Sequence, residues 1–176
     1  MFSRLDWSRN RENMKKKQME QQVPKIAPAK GTKKYAFQQS RYAHLDGFNV
    51  LRSLVVGSSG SGKGILLQNL VLDVFRGVFA RIYLFSKTAN SDPNWQPVLR
   101  YIRKDLKVPE EEQVFFEDLD VEAIQKIVEV QKKVVDYEKA HNYKVLHQCL
   151  ILIDDFAGDE SVMRGKKGRV LQDLYL

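Results

Sequence analysis

One cysteine in 176 residues, Cys149, leaves no internal disulfide to be made. Three scattered histidines beside that single thiol form no cluster at metal-ligand spacing, which speaks against a zinc site and against dithiol redox chemistry. Long apolar runs are also missing. No stretch approaches the ~18 consecutive apolar residues of a membrane span. The opening, MFSRLDWSRNRENMKKK, lacks the apolar centre of a signal peptide. These absences predict an intracellular protein with no membrane insertion. With 43% hydrophobic and 29% charged residues, the chain has the apolar content for one ordinary domain with a core.

Excess charge is absent from most of the chain. Residues 1–46 hold 11 of the 29 Lys and Arg but only 4 of the 22 Asp and Glu, while the remainder balances 18 against 18. The formal net charge of +7 therefore belongs to an N-terminal arm carrying Lys15-Lys16-Lys17, Lys33-Lys34 and the turn-rich run PKIAPAKGTKK. A basic, flexible arm of this kind neutralises nucleic-acid phosphates without reading sequence. A solvated tail is the alternative that charge alone leaves open.

Near Asp46-Gly47 the pattern changes, and residues 47–176 read as an α/β domain of short apolar runs alternating with helical periodicity. Strands are predicted at Val50–Val56 (VLRSLVV), Arg81–Phe85 (RIYLF), Gln113–Phe116 and Cys149–Ile153 (CLILI), the last suited to a buried parallel position. Helices are predicted at Ile65–Phe75 and Val121–Tyr137. In the second, Ile124, Ile127, Val128, Val134 and Val135 form an apolar stripe for packing on the sheet.

Between the first predicted strand and the first helix lies Gly57-Ser58-Ser59-Gly60-Ser61-Gly62-Lys63-Gly64, which satisfies G-x-x-x-x-G-K in the strand–loop–helix context that pattern requires. Glycines let successive N–H groups curl around a phosphate at a helix N-terminus. Lys63 would reach the β- and γ-phosphates of ATP. The Ser or Thr that usually follows the lysine as a Mg²⁺ ligand is replaced by Gly64, so Ser61 or water would have to fill that place. The run LILIDD delivers two carboxylates at the end of an apolar strand, where ligands collect in open α/β sheets. Asp154 suits Mg²⁺, and Asp155 suits orientation or polarisation of the attacking water.

With these residues in view, GSSGSGKG after VLRSLVV, RIYLFSKT with its following SDPNW, and LILIDDF resemble the DNA-packaging ATPases of large double-stranded DNA viruses, the poxvirus-type branch of the FtsK/HerA superfamily. The likeness covers residues 48–176. It implies a P-loop NTPase fold, with a mostly parallel sheet flanked by helices. It also implies Gly57–Lys63 as Walker A, Asp154 as the Walker B aspartate and Asp155 as the catalytic acid. ATP and Mg²⁺ are the implied cofactors, double-stranded DNA the partner, and a homo-oligomeric ring that acts with capsid or portal proteins the assembly. Similar proteins continue into an Arg-containing stretch and a further strand, so the fold is expected to be incomplete at its C-terminus. Arg164, Lys166, Lys167 and Arg169 are candidates to act on a neighbour's nucleotide, with a solvated basic loop as the simpler reading. A P-loop kinase of a small molecule, or a catalytically weak fragment that binds nucleotide or DNA, are the competing functions.

Overall fold

The computed structural model describes residues 35–42, 52–88, 91–156 and 169, all within one compact unit that starts at Tyr35. Most of the basic arm, and Arg164, Lys166 and Lys167, lie outside the described residues. The architecture is α/β with parallel pairing throughout the described strands. Strands β1 (Ala36–Phe37), β2 (Arg81–Ser86), β3 (Phe115–Phe116), β4 (Val145–Leu146) and β5 (Cys149–Asp154) form two sheets. One has the order β3-β2-β5 and the other pairs β1 with β4. The helices are α1 (Lys63–Asn69), α2 (Gln96–Arg100) and α3 (Val121–Ala140), with π turns extending α1 over Leu70–Val74 and α2 over Tyr101–Asp105.

Strand alternation sorts the core into two layers. From β2 and β5, Ile82, Leu84, Leu150 and Leu152 pack with Val71, Trp95, Val98 and Ile102 from the α1 and α2 side. Tyr83, Phe85, Cys149 and Ile151 turn to the other face and meet Leu119, Ile124, Ile127 and Phe156. Phe85 and Phe116 stack there at 4.5 Å between ring centroids. Asp120 starts α3 by accepting the Glu122 and Ala123 N–H groups at 2.9 and 3.0 Å, the usual work of an aspartate N-cap. Only the first half of the α3 stripe is well covered. Ile124 and Ile127 are buried, but Val134 and the neighbouring Val130 and Tyr137 are exposed.

Three predicted strands recur as β2, β3 and β5, β3 being shorter than predicted, and both predicted helices form. The strand predicted at Val50–Val56 is corrected. Arg52–Val56 carries no strand, and Leu54 and Val56 are 80% and 84% exposed. A strand exists through its ladder and its neighbours rather than through composition, and no described strand pairs with this run. The arm drawn from charge also overlaps real structure. Ala36–Phe37 pairs with β4, the Ser40 hydroxyl donates to the Val74 carbonyl, and the Tyr42 hydroxyl donates to Asp73 at 2.9 Å. Charge marks composition and carries no information on backbone pairing.

One polar group binds β2 to the loop before β3. Glu112 accepts Arg81 Nε at 3.1 Å and the Tyr83 hydroxyl at 3.0 Å. Burial, followed by this hydrogen bond and the carboxylate's charge, pushes Tyr83 up to about 12 from 10.0. Because the folded value is raised, the phenol's stabilising contribution is complete below about pH 10 and is lost as pH rises towards 12. Tyr83→Phe should therefore lower stability by about 1 kcal/mol near neutral pH. Its stability should then fall less steeply than that of the parent through the same alkaline window, as thermal melts at stepped pH would read.

Candidate nucleotide-binding site

The glycine loop is built by backbone geometry that its sequence permits. Gly60 and Gly62 sit at φ 74° and 84°, in the left-handed region where a side chain costs about 1–2 kcal/mol. Gly57 is held open for a different reason, since a Cβ there would meet Ser61 Oγ at 2.6 Å. The Ser61 N–H donates to the Ser58 carbonyl at 3.2 Å, closing the turn, and Leu66 N–H to the Gly62 carbonyl at 2.9 Å begins the helix. Lys63 Nζ folds back on the loop and donates to the carbonyls of Gly57 and Ser58 at 3.0 and 2.8 Å. Ser58, Ser59 and Gly60 are exposed, so the loop backbone is accessible to solvent. At Gly64 a Cβ would meet nothing within 4 Å. The absence of a hydroxyl there is not imposed by crowding from this chain.

Strand β5 carries Asp154 to the same region. By alternation Asp154 follows Leu150 and Leu152 onto the face covered by α1 and Trp95. Burial pushes its carboxyl above the usual aspartate range, and the negative charges of Asp155 and Asp92 add to this. A hydrogen bond from Trp95 and the charge of Lys63 act the other way without cancelling it. Asp155 is exposed and takes φ 63°, a left-handed conformation that aspartate tolerates better than most residues and that turns the chain out of the strand. The Lys63 charge reaches Asp154 only as the weakest of the influences on its carboxyl, and the Lys63 ammonium itself is bonded to its own loop. Arg169 is exposed.

Burial first, and neighbouring carboxylates second, disfavour the charged form of Asp154, a cost that a bound cation or a proton relieves. Among the described residues no group of three or more His, Cys, Asp or Glu is placed to hold a metal. Asp154 is the half-buried carboxylate that could contribute to a Mg²⁺ shell completed by phosphate oxygens and water, an arrangement this ion commonly accepts. Sequence reasoning missed Trp95 and Asp92. Both lie in SDPNW, whose Asp-Pro reads as a turn, and nothing in that run announces that the turn folds back on the acid of a distant strand. A cavity of about 950 Å³ lies elsewhere, between α3 and the ends of β2 and β5, and none of the loop residues lines it. Half-buried Cys149 lines that cavity, and burial pushes its thiol up, away from nucleophilic reactivity.

Set against known proteins, the chain matches no family model, no curated relative and no solved structure. Among the described residues no helix is long and apolar enough to cross a membrane.

The electrostatics of Asp154 have a consequence for stability. Its raised folded value means that folding the ionised acid costs free energy near pH 7, a cost that disappears as pH falls through that value. Asp154→Asn should melt higher than the parent near pH 7 in the absence of nucleotide. The difference should shrink as pH falls towards the ordinary aspartate value of 3.8, below which the carboxyl is protonated in both states. A variant that melts lower at neutral pH would show that the carboxylate is already compensated within the chain.

Proposed function

We propose that the chain is a Mg²⁺-dependent ATPase whose hydrolysis drives double-stranded DNA, as in the viral packaging motors its motifs resemble. The observation that carries this reading is the glycine loop at the head of α1, with Gly60 and Gly62 in left-handed conformations, beside a parallel strand β5 that ends in Asp154 and Asp155. In this reading ATP phosphates take the loop N–H groups, and Lys63 leaves the Gly57 and Ser58 carbonyls to meet the β- and γ-oxygens. Mg²⁺ supplies charge neutralisation across those oxygens. Asp154 holds the ion directly or through water. Asp155 orients the attacking water, and its exposure leaves it free to reach solvent. The basic residues of 1–46 would neutralise DNA phosphates. Assembly into a ring around duplex DNA, with capsid or portal proteins as further partners, belongs to the same proposal and rests on the resemblance.

ATP hydrolysis measured with and without duplex DNA tests this directly. Stimulation by DNA is the expected result. Phosphate transfer to a small acceptor would make the protein a kinase, and binding without turnover would make it a nucleotide-binding module. Lys63→Ala should reduce turnover by on the order of 100-fold or more and weaken ATP binding, since a preorganised cation is lost from the transferring phosphoryl group. Asp155→Asn should keep Mg²⁺·ATP bound while hydrolysis slows, whereas Asp154→Asn should lose the metal-dependent part of binding as well. Identical behaviour of the two variants would remove the division of roles.

Gly64 supplies a separate test because the space for a side chain is there. Gly64→Ser adds a hydroxyl next to the lysine and removes a glycine from the first turn of α1, where it costs up to about 1 kcal/mol relative to alanine. The Mg²⁺ concentration for half-maximal turnover should fall, and the melting temperature should rise. A flat Mg²⁺ titration would show that the missing hydroxyl is not limiting.

A further inference from the structure

The α3 face of the central sheet is covered unevenly. Phe85 of β2 is fully buried there, whereas Cys149 and Ile151 of β5 are half-buried and Ile153, on the same face by alternation, is 36% exposed. Strands of a parallel sheet are ordinarily covered on both faces, so an apolar strand left half open marks the place of a further element. Beside this strip α3 turns Val130 and Val134 outward, 48% and 38% exposed. The cavity of about 950 Å³ lies where strand and helix meet, lined by Ile127, Val130, Val134 and Cys149, with the exposed Glu111 and Glu122 at its rim.

The chain leaves β5 on this face. Phe156, two residues beyond the strand, packs with Phe85, Leu119, Ile124 and Ile127. From there the next clustered apolar run is residues 170–176, VLQDLYL, in which Val170, Leu171, Leu174 and Tyr175 recur at the i, i+1, i+4, i+5 spacing of one helix face, with Gln172 and Asp173 between them. Arg169, just before this run, is helical and exposed. The cavity lies at the start of β5 and the chain departs from its end, about 20 Å away for a strand of six residues. Thirteen residues, 157–169, separate Phe156 from the run, and they span roughly 45 Å at full extension. The link is long enough to return along the strand and deliver the apolar run to the cavity.

We propose that residues 170–176 are the element that covers this groove, a short amphipathic helix seated between α3 and β5 with Leu171 and Leu174 in the cavity beside Cys149, Val130 and Val134. The cations that precede it, Arg164, Lys166, Lys167 and Arg169, then approach a rim bearing Glu111 and Glu122, and opposite charge favours that entry. A peptide also brings carbonyls. Gln148 lines the cavity with an amide nitrogen that is buried and has no acceptor among the described residues, a cost that a helix end with free carbonyls relieves. The inference stands apart from the nucleotide reading, since none of the glycine-loop residues lines this cavity.

Cys149 is the one thiol of the chain and lies in the proposed contact. Leu171→Cys and Leu174→Cys, oxidised with copper phenanthroline in the full chain, should each be able to pair with it. The faster of the two should form its disulfide on the order of tenfold or more faster than Gln172→Cys or Asp173→Cys, which fall on the polar side of the run. A monomeric product of altered mobility on a non-reducing gel is the expected result. A dimeric product would give the groove to a second copy and overturn the proposal. Equal rates at all four positions, or no disulfide at any, would overturn it as well.

A second measurement uses the unaltered sequence and decides the matter if a cysteine variant fails to fold. In protein with ¹³C-labelled methyl groups, Leu171 and Leu174 should show nuclear Overhauser contacts to Ile127, Val130 or Val134. A sample mixed from labelled and unlabelled chains separates contacts within one chain from contacts between chains. Contacts found only between chains, or none to α3, would overturn the inference.

Discussion

Six consecutive pairs hold β2 against β5, from Arg81↔Cys149 to Ser86↔Asp154, and the other described features of the candidate site take their position from this register. Because the strands are parallel, their C-terminal ends arrive side by side. One end leads into the loop that folds Trp95 back, and the other ends in Asp154 and Asp155. A slip of one residue would reverse every side chain in β5 and carry Asp154 to the face occupied by α3. The apolar alternation of both strands opposes that slip, since Leu84 and Phe85 are each fully buried on opposite faces. Core packing therefore does more than stabilise the sheet. It determines which face of the molecule receives the carboxylate.

At that face the charge is deliberately out of balance. Asp154 is pushed up first by burial and then by the negative charges of Asp155 and Asp92, against the more weakly felt ammonium of Lys63, two of whose three donors go to the Gly57 and Ser58 carbonyls. A ligand that neutralised this charge would also stabilise the fold, since free energy of binding to the native state adds to its stability. Elsewhere the chain balances its buried charges internally. Glu138, 4% exposed, accepts the His147 N–H at 3.1 Å and pairs with its ring, and Glu112 is shared between Arg81 and Tyr83.

The elements legible in the sequence are those whose formation is local or whose burial is complete. CLILI and RIYLF read as strands because continuous apolar runs bounded by polar residues fit a sheet covered on both faces. The Val121 helix was legible from its period, while its Asp120 cap emerged only in the structure. The glycine loop was legible because its spacing imposes its geometry, down to the left-handed turns at Gly60 and Gly62. What escaped was non-local. VLRSLVV has a strand's composition, but Arg52–Val56 has no ladder among the described strands. The pairing of Ala36–Phe37 with Val145–Leu146 joins two short runs with no pattern to match them. The packing of Trp95 with Leu152 likewise depends on a turn and a strand that only the folded chain makes neighbours.

The same separation shapes the order in which the protein assembles. Strands β2 and β5 are joined by a crossover that contains α2, β3 and α3, and contacts of such sequence separation are slow to form. During synthesis the glycine loop, α1 and β2 leave the ribosome well before Asp154 exists. Lys63 can curl onto its own loop at that stage, but the acid it faces in the finished fold is among the last parts of the sheet to arrive. A ligand that contacted both groups would consequently have little to grip in the folding transition state, and its stabilisation would appear as slower unfolding rather than faster folding.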